Sequence, residues 1–488
     1  MKKLFVLFAA IGLLATGCRK IEVDGTTTTT TTDPTTVNTI LEGRITSNLT
    51  LKANYTYKLR ELVYVTNGAI LTIEPGTKIV GELNRKGCLI ITRGAKIIAD
   101  ATADKPIVFT SEAATPQRGD WAGLVILGNA PTNSSFNGTA GIGEIEGGIN
   151  NSDGLGLYGL GTSSNVADNS GILRYVRIEY AGNAFLPDKE VNGLTLGGVG
   201  NQTIIDYVQV SYANDDSFEW FGGTVNCKHL ISFSALDDDF DTDNGYSGNV
   251  QFGISLRDSS IADLSKSEAF ESDNDANGSD LMTVVTPING TNGVKIAPVK
   301  TSAVFSNMTA IGPKATANTT INSLYLGGAQ LRRNTELSIF NSLFLGWSGG
   351  SVTSWLLDAS KGIPTDLNLA PTGGLIFANN IIAGNASNAV KYSPSATLPT
   401  GATTASILSW VNTPDLANTQ LANNTDVGLT APFNYSAPDF NPGSATSPAA
   451  TGATFTQSKL KAAAFSPVAY KGACAVGDTW WKTWSSFK

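Results

Sequence analysis

Residues 192–215 read NGLTLGGVGNQTIIDYVQVSYAND, and residues 217–238 read SFEWFGGTVNCKHLISFSALDD. Each segment contains an apolar run that ends in Gly-Gly, a turn, and then a second apolar run. Residues 322–346, NSLYLGGAQLRRNTELSIFNSLFLG, have the same form. A repeat of about 22–25 residues falls within the range that indicates a solenoid or an array of small units.

Among solenoids, a parallel β-helix fits these repeats best. Residues 69–82 and 88–111 are short alternating runs around glycine turns, and alternation at period two predicts half-buried strands. The leucine-rich repeat frame is missing, and propeller blades need about 40 residues each. Matching positions of successive coils stack about 4.8 Å apart in a β-helix. Asn307, Asn341 and Asn379 each lie five residues before a glycine, so we predict an asparagine ladder.

Several motifs resemble a family of secreted Bacteroidota lipoproteins, most of whose members are uncharacterised. The motifs are LTIEPGTKI (71–79), ADKPIVFTS (103–111), GDWAGLVILGNAP (119–131), LRYVRIEYAG (173–182) and DYVQVSYANDDSFEWFGG (206–223). The resemblance covers roughly residues 60–350 and the tryptophan-rich end of the chain. It implies an all-β, right-handed parallel β-helix of the pectin-lyase-like kind. It implies no particular activity, because one fold can carry many functions.

The composition divides the chain into successive segments. We predict a parallel β-helix over residues 39–385, an irregular insertion over residues 386–450 and a C-terminal cap over residues 451–488. The last coil of a solenoid exposes its core and strand edges, so an apolar terminal segment is expected to cover them. A platform for sugar binding is the alternative interpretation of its aromatic residues, which are Trp480, Trp481, Trp484 and Phe487.

The N-terminal residues resemble a secretory signal. Residues 1–18 read MKKLFVLFAAIGLLATGC, with two lysines, an apolar run and small residues before the cysteine. We predict a signal peptide over residues 1–17, lipidation of Cys18 and a threonine-rich flexible tether over residues 18–38. The predicted location is the outer membrane, where a lipid anchors the protein so that it faces the extracellular side.

The charge of the chain is concentrated in one region. The net charge is −8, and residues 206–280 contain 16 acidic and three Lys or Arg residues. The rest of the chain has a small positive excess. A partner nucleic acid is not expected, because the sequence has no basic stripe that could neutralise phosphates.

Histidine and cysteine are too rare to build the usual catalytic or zinc sites. His229 is the single histidine and lies in a strand-like run, so we predict a structural role and no multi-histidine metal site. Cys88, Cys227 and Cys474 are widely spaced, which favours free buried thiols, although one disulfide among them remains open.

Three acidic segments align on their phenylalanines at Phe218, Phe240 and Phe270, with separations of 22 and 30 residues. If these rings stack inside the coils, the flanking acids form two columns. The predicted columns are Asp216, Asp238 and Glu268 in one, and Glu219, Asp241 and Glu271 in the other. Like charges about 5 Å apart repel by roughly 3 kcal/mol per pair at an effective dielectric near 20. We therefore predict that these six acids bind Ca²⁺, which prefers oxygen ligands. Acids that turn into solvent or cap turns are the alternative.

Residues 237–248, DDDFDTDNGYSG, contain D-x-D-x-D but do not form an EF-hand loop. The sixth position is Asn244 where that loop needs glycine, and the twelfth is Val250 where it needs glutamate. A second acidic segment, residues 271–280, could add ligands.

The function expected first is a non-enzymatic outer-membrane lipoprotein whose acidic, calcium-binding face binds a glycan or a partner such as a TonB-dependent receptor. The alternative is a calcium-dependent polysaccharide lyase or a glycoside hydrolase. A lyase needs a base near the acids, and Arg257 is the candidate in sequence. The other arginines considered are Arg174, Arg177, Arg332 and Arg333. A purely structural surface or adhesion module is a third possibility.

Overall fold

The repeats fold into a stack of coils whose strands pair in parallel with the coils above and below. The computed structural model describes residues 39–183, 190–279, 283–287, 294–385 and 388–488. The predicted signal peptide, Cys18 and the threonine-rich tether lie outside the described residues. Residues 39–488 form one compact unit.

Most elements are short strands, as the alternating runs predict. In chain order they are β1 Ile40–Ile45, β2 Leu49–Leu51, β3 Thr56–Val65, β4 Ile70–Ile73, β5 Lys78–Gly81, β6 Cys88–Ile91, β7 Lys96–Asp100, β8 Ile107–Ser111, β9 Gly123–Leu127, β10 Ser135–Phe136, β11 Thr139–Ala140, β12 Gly143–Glu144, β13 Leu157–Tyr158, β14 Gly171–Glu179, β15 Leu194–Gly197, β16 Ile204–Ser211, β17 Phe218–Phe221, β18 Asn226–Phe233 and β19 Phe240–Asp243. They continue as β20 Asn249–Gln251, β21 Ile254–Leu256, β22 Ser267–Glu268, β23 Phe270–Ser272, β24 Thr283–Pro287, β25 Val294–Pro298, β26 Val304–Ser306, β27 Thr309–Ile311, β28 Tyr325–Gly327, β29 Gln330–Leu331, β30 Ser338–Phe340, β31 Leu343–Leu345, β32 Trp355–Asp358, β33 Phe377–Ala378, β34 Ile381–Ala383, β35 Val390–Ser393, β36 Thr419–Leu421, β37 Leu429–Ala431 and β38 Asp439–Pro442.

Helical structure is limited to one α-helix and short 3₁₀ turns in the described part of the chain. The helix is α1 Thr404–Val411, and the turns are Gly161–Ser163, Thr365–Asn368, Pro414–Leu416, Asn424–Val427, Pro448–Ala450 and Ser458–Lys461.

The coils build three parallel sheets around one core. Sheet A runs through β5, β8, the ends of β14, β16 and β18, then β21, β27, β31, β34 and β36. Sheet B runs through β6, β9, β15, β17, β19, β23, β29, β32 and β35. Sheet C runs through β2, β4, β7, the starts of β14, β16 and β18, then β20, β26, β30 and β33. The fold is the parallel β-helix that the repeats predict.

Strand alternation decides which side chains enter the core. In β4, Leu71 and Ile73 are buried while Ile70 and Thr72 are half-buried, because successive side chains point to opposite faces. Gly197-Gly198 and Gly222-Gly223 lie where the chain turns out of sheet B, whereas Gly327-Gly328 lies before the sheet B strand β29. Gly198 and Gly222 have φ values of +57° and +67°, a left-handed conformation that glycine adopts without a side-chain clash.

The predicted asparagine ladder is present. Asn307, Asn341 and Asn379 all have left-handed φ values, which asparagine tolerates. The Asn379 Nδ2 donates to the Asn341 Oδ1 at 2.7 Å. Asn341 and Asn307 are linked through the hydroxyl of Ser306, at 3.2 and 2.9 Å. The ladder therefore marks one corner of the coils.

The same corner carries aromatic residues in earlier coils. Tyr175, Tyr207, His229 and Phe252 also have left-handed backbone, and their ring centroids lie 4.4, 4.1 and 5.1 Å apart along the column. The Nδ1 of His229 lies 2.7 Å from Asp206 Oδ1. His229 is thus a stacked, structural residue, as its sequence context predicts.

The β-helix extends beyond the predicted boundary at residue 385. Strands β35 and β36 continue sheets B and A within residues 386–450. Helix α1, in the same segment, buries Ile407 and Val411 against the core, and Trp410 stacks on Trp355 with centroids 5.9 Å apart. These apolar contacts place α1 over the core near the last coils, so the predicted insertion supplies the covering of the end.

The tryptophan-rich C-terminal segment covers a side of the solenoid rather than its last coil. It packs on the apolar outer surface of sheet A, where Phe233 contacts Phe487 at 5.1 Å between centroids and Tyr207 contacts Trp484 at 6.1 Å. Trp481 and Trp484 are 1% and 0% exposed, so they do not form an open sugar platform. The prediction of an end cap is corrected because the outer surface of sheet A is itself apolar and must be covered.

Polar ladders hold this C-terminal segment in place. The side-chain amide of Gln209 forms two hydrogen bonds with the backbone of Ser486, and that of Gln251 forms two with the backbone of Ser466, at 2.7–2.9 Å. Asn341 Nδ2 donates to the carbonyl of Thr454 at 3.0 Å.

Cys88, Cys227 and Cys474 are free and buried. No helix in the described ranges is long and apolar enough to span a membrane.

Candidate metal centre

The acidic segments align in sheet B as their phenylalanines predict. Phe218 pairs with Phe240 in parallel register, and Phe240 pairs with Phe270. The rings stack inside the core with centroids 5.7 and 5.3 Å apart, and each side chain is at most 1% exposed. The following residue of each strand points outward, because strand side chains alternate. Glu219, Asp241 and Glu271 therefore form one column on the outer surface, as predicted.

The second predicted column lies in the turn before these strands. The carboxylate of Asp216 accepts a hydrogen bond from the backbone N–H of Asp238 at 2.8 Å. The carboxylate of Asp238 accepts one from the backbone N–H of Glu268 at 2.6 Å. The three side chains are between 1% and 7% exposed. Asp216 and Asp238 thus each satisfy a backbone N–H of the next coil, whereas Glu268, the last acid of the column, accepts no such bond among the described residues.

The carboxylates converge into three groups, in each of which the oxygens lie within 4.8 Å of one another. The groups are Asp216, Glu219 and Asp241; Asp237, Asp238 and Glu268; and Asp215, Asp216 and Asp237. Five of the six predicted acids belong to these groups. Asp215 and Asp237 are additional members that the phenylalanine alignment missed. Their signal in the sequence is the doubled acid, Asp215-Asp216 and Asp237-Asp238, which recurs one coil later.

Glu271 stands apart from the three groups. Its carboxylate forms an ion pair with Arg332, whose Nε also lies 2.8 Å from Asp273. Arg333 binds the other oxygen of Asp273 at 2.5 Å. A paired carboxylate is already neutralised by its guanidinium, so Glu271 is the weakest of the six as a metal ligand.

The second acidic segment, residues 271–280, adds no ligand in its described part. Asp275 accepts hydrogen bonds from the backbone N–H groups of Asn277 and Ser279 at 2.8 and 3.1 Å. The Ser279 hydroxyl donates to it at 2.7 Å. These bonds close a local turn, and residue 280 lies outside the described residues.

Burial makes the grouped acids hard to ionise. It raises the pKa of Asp241 to about 8, that of Glu268 to about 7 and that of Asp237 to about 6. Burial also raises the pKa values of Asp216 and Glu219 well above the ordinary range, and neighbouring carboxylates raise them further. A low-dielectric site disfavours a carboxylate charge that has no positive partner.

Several buried oxygens and amides of this site have no hydrogen-bond partner among the described residues. They are Glu268 Oε1 and Oε2, Asp241 Oδ1, Asp237 Oδ1 and Asn192 Oδ1. The amide of Asn192 donates to Glu219 Oε2, so its own oxygen lies beside the first group. An unsatisfied buried polar group costs about 1–3 kcal/mol. A cation with oxygen ligands would satisfy these atoms together.

Arg257 does not lie in a groove beside the acids, which corrects its assignment as the candidate base. Its side chain is 0% exposed and pairs with Asp239, also 0% exposed, at 3.1 Å. It donates to the Leu236 carbonyl at 3.3 Å and lies over the ring of Tyr325. Burial lowers the pKa of Arg257, but Asp239 outweighs this and raises it above the ordinary value. A buried, ion-paired guanidinium cannot accept a proton from a ligand.

A cavity of about 440 Å³ lies beside the acidic strands. It opens between the loop around residues 133–146 and the turn at residues 275–279. Phe221, two residues after Glu219 on the same strand, forms part of its wall. The described residues that line it include Phe136, Tyr158, Glu144, Glu146, Asn133 and Asn277 but no lysine or arginine. The cavity combines apolar rings, amides and carboxylates.

A comparison with family models agrees with the coil architecture. A family model described as a pectate-lyase-like β-helix domain matches residues 43–354. No curated protein matches the chain. One solved structure that it matches is the Dettilon tailspike protein, at 10% identity and a TM-score of 0.21, over 77% of this chain. The match spans 61% of that tailspike chain.

Proposed function

Since the chain belongs to the pectate-lyase-like β-helix family, we propose that its sheet B presents a calcium-stabilised acidic face for binding, without catalysis. The β-helix fold by itself does not determine an activity. The proposal therefore depends on the chemistry of the carboxylates and not on the family. We further propose that the protein is a lipoprotein of the outer membrane, anchored through Cys18 and exposed to the exterior.

The observation that carries the calcium proposal is the convergence of Asp216, Glu219 and Asp241 within 4.8 Å. All donors are oxygens, and neither histidine nor a thiol belongs to the group, which is the ligand chemistry that Ca²⁺ prefers. Asn192 Oδ1, buried and without a partner among the described residues, is a neutral oxygen beside them. A bound Ca²⁺ supplies the positive charge that these carboxylates need in order to ionise where they are buried.

The ligand proposed for this face is a glycan, with a TonB-dependent outer-membrane receptor as the protein partner. The cavity beside sheet B supports a glycan because it offers the rings of Phe136 and Tyr158 next to amides and carboxylates. Carbohydrate hydroxyls can donate hydrogen bonds to carboxylate and amide oxygens. We propose the receptor as a partner because the expected lipid anchor would hold the protein in the same membrane as such a receptor.

Calorimetric titration of the chelated protein with Ca²⁺ tests the metal, with Mg²⁺ as the competitor. We expect saturable binding and a higher melting temperature, and Asp241→Asn should weaken the binding at least tenfold. Glu74→Gln removes a surface carboxylate that is paired with Lys52 and serves as the matched control. A titration without binding or a melting shift would exclude the calcium site. A glycan array probed with Ca²⁺ and with chelator then tests the ligand.

A calcium-dependent polysaccharide lyase or a glycoside hydrolase is the alternative. Arg332 forms an ion pair with Glu271, a member of the acidic column, and its side chain is not fully buried. Burial lowers the pKa of Arg332, but Glu271 and Asp273 outweigh it and raise the pKa, which disfavours the side chain as a base. New unsaturated or reducing ends from a polysaccharide panel, lost in Arg332→Ala, would favour the enzyme. If no polysaccharide of the panel yields new ends, the result favours a binding protein without catalytic activity.

A further inference from the structure

The carboxylate groups at the two ends of the acidic site share no residue. One group contains Asp216, Glu219 and Asp241. The other contains Asp237, Asp238 and Glu268, and its oxygens likewise lie within 4.8 Å of one another. The middle group shares Asp216 with the first group and Asp237 with the second, and Asp215 is its third member. The site is therefore long enough to offer two complete sets of three carboxylates.

The burial of Glu268 is a second observation, besides the clustering of acids, that favours a cation at the second group. The side chain is 1% exposed, and neither of its carboxylate oxygens has a hydrogen-bond partner among the described residues. Asp237 Oδ1 in the same group is also buried and without such a partner. A carboxylate that is buried with both oxygens unsatisfied is unfavourable unless another group neutralises it.

No basic side chain in the described ranges forms an ion pair with either group. Arg257 pairs with Asp239, and Arg332 pairs with Glu271 and Asp273. Six carboxylates are then left for cations to neutralise, and one divalent cation compensates only two charges. A single Ca²⁺ at the first group would leave the second group without an ion-pair partner among the described residues.

We propose that Asp237, Asp238 and Glu268 bind a second divalent cation, Ca²⁺, separate from the one held by Asp216, Glu219 and Asp241. This inference rests on the proposed calcium-binding function. The second cation joins the turn before β19 to β22, because Asp237 and Asp238 belong to that turn and Glu268 belongs to the strand. The Ser265 hydroxyl donates to Asp237 Oδ2 at 2.6 Å, so the connection before β22 already contacts this group.

Equilibrium dialysis of the purified full chain against Ca²⁺ measures the number of ions bound. We expect two per chain, with one lost in Glu268→Gln and the other lost in Asp241→Asn. The double variant should bind none, and the surface control Glu74→Gln should bind two. Circular dichroism of each variant checks folding. If Glu268→Gln does not fold, Asp237→Asn replaces it, because Asp237 is only half-buried.

The outcomes separate this inference from the proposed function. Two ions in the parent and one in Glu268→Gln support the second site. One ion in the parent, lost in Asp241→Asn but kept in Glu268→Gln, overturns the second site and leaves the proposed function intact. No bound ion overturns both. Two ions that both persist in Glu268→Gln and in Asp237→Asn also overturn the assignment of these ligands.

Discussion

Replacing Glu268 by glutamine should stabilise the calcium-free protein at pH 8 and leave its stability unchanged at pH 4. Glutamine has the shape of the protonated acid but cannot ionise. Burial raises the pKa of Glu268 from 4.5 to about 7, so the folded state holds the proton more tightly than the unfolded state does. The stability that this proton contributes is complete below pH 4.5 and is lost as the pH rises through 7.

Raising the pKa from 4.5 to about 7 corresponds to about 3 kcal/mol of stability. The side chain is 1% exposed, so solvent does not screen this effect. The parent should therefore lose about 3 kcal/mol between pH 4 and pH 8 through this group, and Glu268→Gln should not. With saturating Ca²⁺ at pH 8 the order should reverse, since the variant lacks a ligand.

Urea denaturation in chelator at pH 4 and pH 8 gives the free energies of unfolding for parent and variant. Glu74→Gln is the control, because Glu74 lies at the surface and its hydrogen bond with Lys52 lowers the pKa of its carboxyl. That control should not gain stability at pH 8. A Glu268→Gln variant that is equally destabilised at both pH values would contradict this prediction, as it would show that the carboxylate makes specific contacts that glutamine breaks.

Four further predictions concern the buried ion pair, the asparagine ladder, the C-terminal segment and the lipid anchor. Arg257→Met should cost about 3–5 kcal/mol by leaving Asp239 buried without its cation, and Arg257→Met/Asp239→Leu should recover most of it in the same urea assay; a cost below about 1 kcal/mol would contradict a structural ion pair. Asn341→Ala should cost about 2–4 kcal/mol, because the ladder hydrogen bonds are lost and alanine must adopt a left-handed φ; limited proteolysis should then release the C-terminal segment first, and unchanged protection would argue against the ladder as its anchor. Trp484→Ala should cost about 3–5 kcal/mol by opening a cavity under that segment, measured by thermal melting against an exposed-site control. Cys18→Ala should move the protein from the membrane fraction to the soluble fraction, and continued membrane attachment would contradict the lipid anchor.

The register of the acidic columns could be predicted because hydrogen-bonded coils align residues one repeat apart. Phe218, Phe240 and Phe270 pair in the structure as the spacing indicates. The asparagine ladder follows from the same repetition, and both predictions are confirmed. A spacing of 30 residues in place of 22 does not disturb the register, because the extra residues lie in the connection before β22.

The membership of each carboxylate group could not be predicted from the repeat. Asp237 joins Asp238 and Glu268 because the turn between sheets A and B folds it back, and a turn conformation is not determined by the spacing of strands. Arg257 is near the acids in sequence, but it is buried against Asp239. Only the direction of its side chain in three dimensions distinguishes a base from a structural ion pair.

The parallel β-helix, the stacked phenylalanines and the two acid columns follow from the amino-acid sequence, because they depend on local alternation and on a repeat that the hydrogen-bond ladder enforces. The folded chain was needed to show where the C-terminal segment packs, which part of the chain covers the last coils, and which acids face one another without a lysine or arginine partner among the described residues. Those outcomes depend on contacts between residues far apart in the chain, such as Tyr207 with Trp484 and Trp355 with Trp410. Burial and close approach of side chains arise only when such distant segments pack, so no periodic pattern in the sequence encodes them.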